Sequence, residues 1–333
     1  MRWLASLCGV MRSGTPKPVG VFPDPNSEKA EAYVTSNAAA KAEDGGVFAV
    51  TVTSIEDDSP NTKLITLVVV NDKKKFAFRP GQWVDFHAPG VTKPGGYSIA
   101  SSHGRFVKDG SFQLAIRESR SSACAHWVHG KCKKGDEAKV CVGGKFFASR
   151  KDLTHPLILV AGGIGIAPIL GIVQTFSEEQ LHGSNPGGSN DDNTGNTSRG
   201  TSSTPQKRNT NTLRVVLLCS TKNPQTQPML REILAAVRDA NGAVKCVFHR
   251  TDGRGSCDGI KDKEYDNKKV SVKNGRIERD ALSDALSALR GDGKHSKKPI
   301  AFLCGPPALS DATEASLLAL GVPKEDVRLE RWW

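Results

Sequence analysis

Residues 153–177 contain no Asp, Glu, Lys or Arg, so we expect this stretch to be buried. It is long enough to cross a lipid bilayer. Its middle, however, holds Gly162, Gly163, Gly165 and Pro168, which would break a spanning helix and leave backbone groups unpaired in lipid. We therefore predict a buried strand, a tight glycine turn and a helix, and no transmembrane segment.

The rhythm of the sequence changes near residue 157. Between residues 47 and 142, six short β-rich runs are separated by turn residues, with one helix at about residues 122–132. This spacing is typical of an antiparallel barrel. After residue 157, apolar strands alternate with helical segments, and such alternation predicts a parallel sheet covered by helices. The predicted fold class is a six-stranded antiparallel β barrel followed by a doubly wound α/β domain.

These patterns divide the chain into three parts. Residues 1–46 are predicted to be a disordered tail or a mitochondrial transit segment, because the first three charged residues are all basic. Residues 47–150 form the barrel domain and residues 151–333 the α/β domain. Within the latter, residues 183–212 lack apolar side chains and predict a disordered insertion. A transit segment implies a mitochondrial location, and a plain tail implies a cytoplasmic one.

The positive charge of the chain is uneven. Of a net charge of +11, most lies in residues 47–150, where 16 Lys and Arg stand against 9 Asp and Glu. No basic stripe interleaved with aromatic residues follows a helical period, so nucleic-acid binding rests on charge alone and we expect none. A basic face for an acidic protein partner fits the same distribution.

The eight cysteines are spread along the chain without a C-x-x-C pair. This excludes a zinc ribbon and the cysteine spacing of a plant-type iron–sulfur module. Cys124, His126, His129 and Cys132 lie close in sequence, but their spacing around a helix fits no common zinc site. We expect reduced thiols and no metal.

Two glycine turns indicate a nucleotide site. Gly162, Gly163 and Gly165 allow the backbone to approach a phosphate, and the helix that follows presents its positive end to an anion. Pro168 replaces the third glycine of the usual dinucleotide fingerprint, so this turn alone is weak evidence. A second strand ends in Cys304, and Gly305 and Pro306 then lead into another helix. Because ligands of doubly wound sheets bind beyond the carboxyl ends of the strands, both turns should lie on one edge.

The segment FRPGQWVDFHAPGVTKPGGYSIASS at residues 78–102, followed in order by GGIGIAP and CGPP, resembles the ferredoxin-NADP reductase superfamily. The resemblance covers residues 47–333. The GGYS variant and the ending ERWW look most similar to the group called oxidoreductase NAD-binding domain-containing proteins. The resemblance implies a barrel that binds FAD before a domain that binds NAD(P)H.

The family's R-x-Y-S motif falls on Gly95, Gly96, Tyr97 and Ser98. The resemblance implies that Tyr97 packs against the flavin ring and that the Ser98 hydroxyl bonds near N5, the atom that accepts hydride. The family's arginine, which neutralises the flavin diphosphate, is Gly95 here. Lys93, two residues upstream, is a candidate replacement.

The resemblance also implies roles for three other segments. The diphosphate should meet a helix start near Ser122 and Cys124, with the register open by a few residues. Cys304 should lie beside the nicotinamide. Glu330, with Trp332 and Trp333, should approach the flavin face opposite Tyr97. The alternative is that the two tryptophans pack against the last strand and hold it in place. Ser98, Cys304 and Glu330 are the predicted catalytic residues.

Two hypotheses follow. In the first, the protein moves hydride from NAD(P)H to FAD and passes electrons to a separate acceptor, such as an acidic protein. Thr221, Lys222 and Arg250 after the second and third strands of the sheet favour NADPH weakly, although Lys222 is equally explained as a solvated surface residue. In the second, the loss of the arginine at Gly95 makes the chain a flavin-free nucleotide-binding or scaffold protein of the same fold.

Overall fold

The computed structural model describes residues 46–70, 75–182, 212–253, 269–290 and 297–331. Residues 1–45, which include nearly all of the predicted tail or transit segment, lie outside the described residues. So do residues 183–211 of the predicted insertion, and the terminal Trp332 and Trp333. The predictions that fall on those segments stay predictions.

The first folded unit is the predicted antiparallel barrel. In the described residues its sheet has six strands in the order β4-β3-β6-β1-β2-β5. An antiparallel bridge between Ile99 and Leu114 joins the end of β4 to β5 and closes the sheet. The strands are Phe48–Ser59 (β1), Thr62–Val69 (β2), Trp83–His87 (β3), Gly95–Ser98 (β4), Ser111–Arg117 (β5) and Glu137–Gly143 (β6).

Two helices interrupt the barrel strands, where the sequence predicted one. The predicted helix is Ala123–Gly130 (α2), and the helix that the sequence analysis missed is His103–Asp109 (α1). Ser102 caps α1 by accepting a hydrogen bond from the Arg105 N–H, and Gly110, at φ +74°, ends it. With seven residues and only Phe106 buried, α1 is too short to leave a helical period in the sequence.

The second folded unit is the predicted doubly wound domain. Its six described strands are parallel and lie in the order β10-β9-β8-β7-β11-β12. The strand β10 was not predicted from the sequence, because one buried valine is followed there by partly exposed and exposed residues. The strands are Leu157–Gly162 (β7), Val215–Thr221 (β8), Val244–Arg250 (β9), Val270–Asn274 (β10), Ile300–Cys304 (β11) and Val327–Glu330 (β12).

Helices cover both faces of this sheet and connect it to the barrel. None of the helices in the described ranges is long and apolar enough to cross a bilayer. Residues 157–177 of the uncharged stretch form β7, a 3-10 turn and most of the helix that follows, as predicted. The helices are Arg150–Leu153 (α3), Ile166–His182 (α4), Leu230–Asp239 (α5), Arg279–Arg290 (α6) and Pro307–Ala319 (α7).

The core on the α4 side of the parallel sheet continues into the barrel. Besides residues of α4, α5 and the sheet, this cluster contains Leu64, Ala100 and Ala115 of the barrel. The connecting segment joins it through Phe146, whose ring packs edge-on against Phe302 at 5.6 Å. The two units therefore share a packed seam, and α4 lies along it.

The last strand, β12, is hydrogen-bonded to the segment that connects the two units. Arg328 donates to both carboxylate oxygens of Asp152, each at 2.7 Å, and also to the carbonyl of Phe147. Burial alone would raise the pKa of Asp152, but hydrogen bonds from Arg328 and Ser149 outweigh it and hold the pKa below its ordinary value. Asp152 also completes a capping box with Ser149 at the start of α3.

Candidate functional site

The two glycine turns lie at the carboxyl edge of the parallel sheet, as predicted from the sequence, and they also touch each other there. Ala161 on β7 is in register with Cys304 on β11, so both turns leave the sheet at the same level. A Cβ on Gly165 would collide with the Cys304 carbonyl, and a Cβ on Gly162 would lie 2.7 Å from Pro306. Glycine is needed at these positions because the two backbones are in contact.

Gly163 differs from its neighbours. Its φ is +55°, and a Cβ there would meet nothing within 4 Å, so this part of the turn borders open space. The 3-10 turn Gly163–Gly165 runs directly into α4, whose first turn contains Pro168. Unpaired N–H groups at such a helix start attract anions. The turn therefore has open space at Gly163, beside the start of α4.

Cys304 and Glu330 lie side by side on β11 and β12, where they are partners in register. Cys304 is 1% exposed and belongs to the core cluster on the α4 side. Burial raises the pKa of the partly exposed Glu330 to about 7. Glu330 therefore lies at the carboxyl edge of the parallel sheet and has a pKa near neutral.

On the barrel side, Tyr97 reaches the start of α2. Its hydroxyl is hydrogen-bonded to the Ser122 hydroxyl at 3.1 Å, and Ser122 caps α2 by accepting from the Ala125 N–H at 3.2 Å. Burial raises the pKa of Tyr97 above its usual value, so the hydroxyl stays protonated. Tyr97 and Ser122, predicted as cofactor-binding residues from separate segments, thus form one polar group.

The ring of Tyr97 lies over Gly95, the position at which the R-x-Y-S motif has its arginine. A Cβ on Gly95 would lie 2.6 Å from the Tyr97 hydroxyl oxygen and 2.7 Å from a ring carbon. Any side chain at position 95 is therefore incompatible with this placement of Tyr97. The missing arginine and the position of the tyrosine are two aspects of one arrangement.

The remaining predicted site residues of the barrel are Ser98, Cys124 and Lys93. Ser98 is buried at the end of β4, paired with Trp83. The Cys124 thiol points into the barrel, where it donates to the Phe86 carbonyl and lies 3.4 Å from the Lys93 carbonyl. Cys124 thus ties the loop of Lys93 to α2, and the Lys93 side chain is exposed.

A cavity of about 840 Å³ lies elsewhere on the seam. Its walls come from α1, α3, α4 and α5, and none of the predicted site residues lines it. His103 lies in its wall, and burial lowers the pKa of His103 to about 4, so this imidazole is neutral at pH 7. The cavity therefore belongs to the packing of the two units rather than to the glycine turns.

The sequence pattern did not single out an acid at the carboxyl edge of the sheet, Asp252. Arg250 donates to both carboxylate oxygens of Asp252, at 2.7 and 3.2 Å. Arg250 is in register with Thr221 on β8, and β8 is next to β7. Asp252 follows Arg250 by two residues, so the signal was present, but the pairing was not predictable from spacing.

The donor groups on the two sides fit FAD and a pyridine nucleotide. The start of α2 and the open turn at Gly163 each provide backbone N–H groups at a helix start for phosphate oxygens. Tyr97 and Ser98 provide an aromatic face and a hydroxyl between them. In the described part of the chain, no group of three or more His, Cys, Asp or Glu is arranged to hold a metal.

No protein-family model matches the chain. Oxidoreductase NAD-binding domain-containing protein 1 of Xenopus tropicalis is 32% identical over 284 residues, covering 85% of this chain and 78% of the relative. The crystal structure of an Amycolatopsis cytochrome P450 reductase covers 86% of this chain and 69% of its own, with a TM-score of 0.58 and 20% identity. The flavohem-like FAD/NAD-binding domain of a Vibrio cholerae nitric oxide dioxygenase covers 86% and 98%, with a TM-score of 0.57 and 16% identity. The chain shares their fold, that of ferredoxin-NADP reductase-like proteins.

Proposed function

The chain belongs to the family of oxidoreductase NAD-binding domain-containing protein 1, and from this premise we propose that it is a flavin-dependent oxidoreductase. It takes hydride from NAD(P)H into bound FAD and passes electrons to a separate acceptor. The observation that carries this proposal is the contact of the two glycine turns at the carboxyl edge of the parallel sheet, with open space beside Gly163.

FAD, when bound, supplies the ring that accepts hydride. The chain's own residues bind the two cofactors and orient them. The start of α2, capped by Ser122, binds the flavin diphosphate, with Lys93 supplying positive charge on the neighbouring loop. Tyr97 and Ser98 pack against and hydrogen-bond the flavin. Because a buried hydroxyl both donates and accepts, Ser98 can follow a change of protonation at the atom that it contacts.

The nucleotide side is formed by the two turns. Gly162, Gly163 and Gly165, with Pro168 in the helix behind them, hold the phosphates of NAD(P)H. Gly305 and Pro306 keep the second turn close enough for both turns to contact one ligand, and Cys304 and Glu330 border the nicotinamide. We propose that Trp332 and Trp333, which follow the last described residue, cover the flavin until nicotinamide replaces them.

Absorbance tests the proposal directly. Purified protein supplied with FAD should show a flavin spectrum that survives gel filtration and bleaches when NADH or NADPH is added without oxygen. Protein that binds neither FAD nor nucleotide would contradict it.

The second candidate is a flavin-free nucleotide-binding or scaffold protein. Gly95 favours it, because the flavin diphosphate loses its usual charge partner and the Tyr97 hydroxyl already engages the cap of α2. If the second candidate is right, the purified protein should bind nucleotide and show no flavin absorbance. Nucleotide affinity with no flavin affinity would decide for it.

We propose an acidic electron-acceptor protein as the partner. The excess positive charge of residues 47–150 favours an acidic surface and steers it toward the barrel. Electron transfer to such a partner should slow as ionic strength rises, because salt screens this attraction. An acceptor rate that does not depend on salt would count against an acidic partner.

We expect Glu330→Gln to remove a titration near pH 7. The pKa of the carboxyl in the folded protein is about 7, against an ordinary value of 4.5, so the folded state retains a proton that the unfolded state releases. Wild-type stability should therefore fall as pH rises from about 4.5 to 7 and then level off. The melting temperature of the glutamine variant, relative to wild type, should increase over that range. A difference that stays constant with pH would show that Glu330 titrates normally.

We expect Asp252→Asn to shift cofactor preference toward NADPH. Arg250 lies two strands, or about 10 Å, from the glycine turn, and the Asp252 carboxylate neutralises it. This pairing weakens the support that Arg250 gives to NADPH in the sequence, because a 2′-phosphate would have to compete with Asp252 for the guanidinium. The ratio of kcat/KM for NADPH to that for NADH should rise about tenfold in the variant, since one charge interaction of this kind is worth about 1.4 kcal/mol or more. An unchanged ratio would place the 2′-phosphate away from Arg250.

A further inference from the structure

Among the residues of α4 that contact the barrel, three lie at helical spacing on one face: Gly171, Gln174 and Glu178. Positions i, i+3 and i+7 lie on one side of a helix. The barrel segment that they contact, residues 99–104, follows Ser98 directly in the sequence. We call these three residues the seam stripe.

Gly171 contacts the barrel backbone. A Cβ at this position would lie 3.1 Å from the Ser101 carbonyl oxygen and 3.3 Å from the Ile99 carbonyl oxygen. Both neighbours are main-chain atoms of a strand end that is also fixed by the barrel-closing bridge at Ile99. The absence of a side chain at Gly171 therefore sets how closely α4 approaches the strand end behind Ser98.

Gln174 and Glu178 hold the same segment through Ser102, which is 2% exposed. The Ser102 N–H donates to Gln174 Oε1 at 3.1 Å, and its hydroxyl donates to Glu178 Oε1 at 2.5 Å. Ser102 is also the cap of α1. Two hydrogen bonds thus fix the lateral position of the strand end against α4, while Gly171 fixes the spacing.

The packing beside the stripe is incomplete. The cavity of about 840 Å³ includes Ser102, Gln174 and Glu178 in its walls. On that side the stripe provides the contacts between α4 and residues 99–104, and the shared core of Leu64, Ala100 and Ala115 supports the seam on the other side.

The stripe lies between the two halves of the candidate site. The nucleotide turn ends at Gly165, and α4 begins at Ile166, five residues or about 7.5 Å along the helix from Gly171. On the other side, Ser98 lies one residue before Ile99. The first turns of α4 and the strand end after Ser98 therefore connect the glycine turn to the Ser98 segment through the contact at Gly171.

We propose that Gly171 is a positioning residue that, with Gln174 and Glu178, sets the distance between the nucleotide turn and Ser98, and so the approach of the hydride donor to the flavin. This inference rests on the proposed function, since it assigns to the seam a role in that reaction. In the reaction, one hydride with its electron pair leaves nicotinamide C4, which is oxidised, and bonds to flavin N5, which is reduced.

Gly171→Ala is the first test. Alanine is the better helix former, which offsets part of the strain, so the variant is expected to fold. The new methyl group forces α4 and the strand end apart by a few tenths of an ångström. Because hydride transfer depends steeply on geometry, flavin reduction measured by stopped flow should slow about three- to tenfold, with unchanged dissociation constants for FAD and NAD(P)H.

The matched control is Gly130→Ala. It also places alanine at a helix glycine, at the end of α2, where a Cβ meets nothing within 4 Å. Its flavin reduction should equal that of the wild type. A second variant, Gln174→Ala, removes the acceptor for the Ser102 N–H and should slow reduction in the same direction, which keeps the test decisive if Gly171→Ala does not fold.

A readout without cofactors accompanies the kinetics. Amide hydrogen exchange over residues 99–104 should be faster in Gly171→Ala and Gln174→Ala than in the control, because the Ser102 N–H loses protection. If wild-type protein reduces flavin and the stripe variants reduce it at the control rate, the positioning role is overturned while the proposed function stands. If wild-type protein never reduces flavin, the proposed function fails and the positioning role fails with it.

Discussion

Arg328→Met is expected to lower the free energy of unfolding by about 3 kcal/mol, because it leaves the buried Asp152 carboxylate without its two-pronged partner. The side chain of Asp152 is 8% exposed, and the pair fastens β12 to the connection between the barrel and the parallel sheet. Chemical denaturation at pH 7 measures the loss.

The control for this prediction is Lys273→Met. It breaks an ion pair with Asp284 whose side chains are both more than half exposed, so it should change stability by less than about 0.5 kcal/mol. Equal effects of the two variants would show that the Arg328 pair contributes no more than a surface pair.

The same pair has a pH signature. The pKa of Asp152 is lowered in the folded protein, so the stabilisation that this carboxylate provides is complete above its unfolded pKa, near 4. It is lost as pH falls through the lower folded pKa. The stability difference between wild type and Arg328→Met should therefore be constant from about pH 5 upward and shrink in more acidic solution. A difference that persists unchanged in acid would contradict this assignment.

Gly163→Asn should weaken NADH and NADPH binding at least about tenfold and leave FAD binding unchanged. Asparagine tolerates a left-handed backbone better than other side chains, and Gly163 has φ +55°. The new side chain would enter the open space beside the turn, where the proposal puts the nucleotide phosphates. Titration of the protein with each ligand measures the two affinities separately.

Gly110→Asn is the matched control for the Gly163 variant. Gly110 has φ +74°, also borders open space, and lies at the end of α1, away from both turns. It carries the same backbone strain, of about 1 kcal/mol, without blocking a ligand. Equal losses of nucleotide and flavin affinity in Gly163→Asn, or nucleotide binding as tight as in the control, would rule out a phosphate cradle at this turn.

The order of the elements and both glycine turns were predictable because they depend on local properties. A strand that leads into a tight turn needs glycine, and a helix or strand buried on one face shows its period in the sequence. The elements that were missed, α1 and β10, are short and have little buried surface, so their sequences carry almost no period. They form because the rest of the fold provides partners for them.

The sequence by itself determined the fold class and the family resemblance, and it supplied the residues predicted for the candidate site. Only the tertiary structure decided which of those residues touch. Tyr97 meets Ser122 across 25 positions, Ser102 meets Glu178 across 76, and Asp152 meets Arg328 across 176. Such contacts depend on how whole elements pack against each other, and the energy of packing is not encoded at either residue alone. For the same reason, the sequence shows only that the motif's arginine is absent at Gly95. The fold shows that the Tyr97 side chain occupies the space beside this glycine.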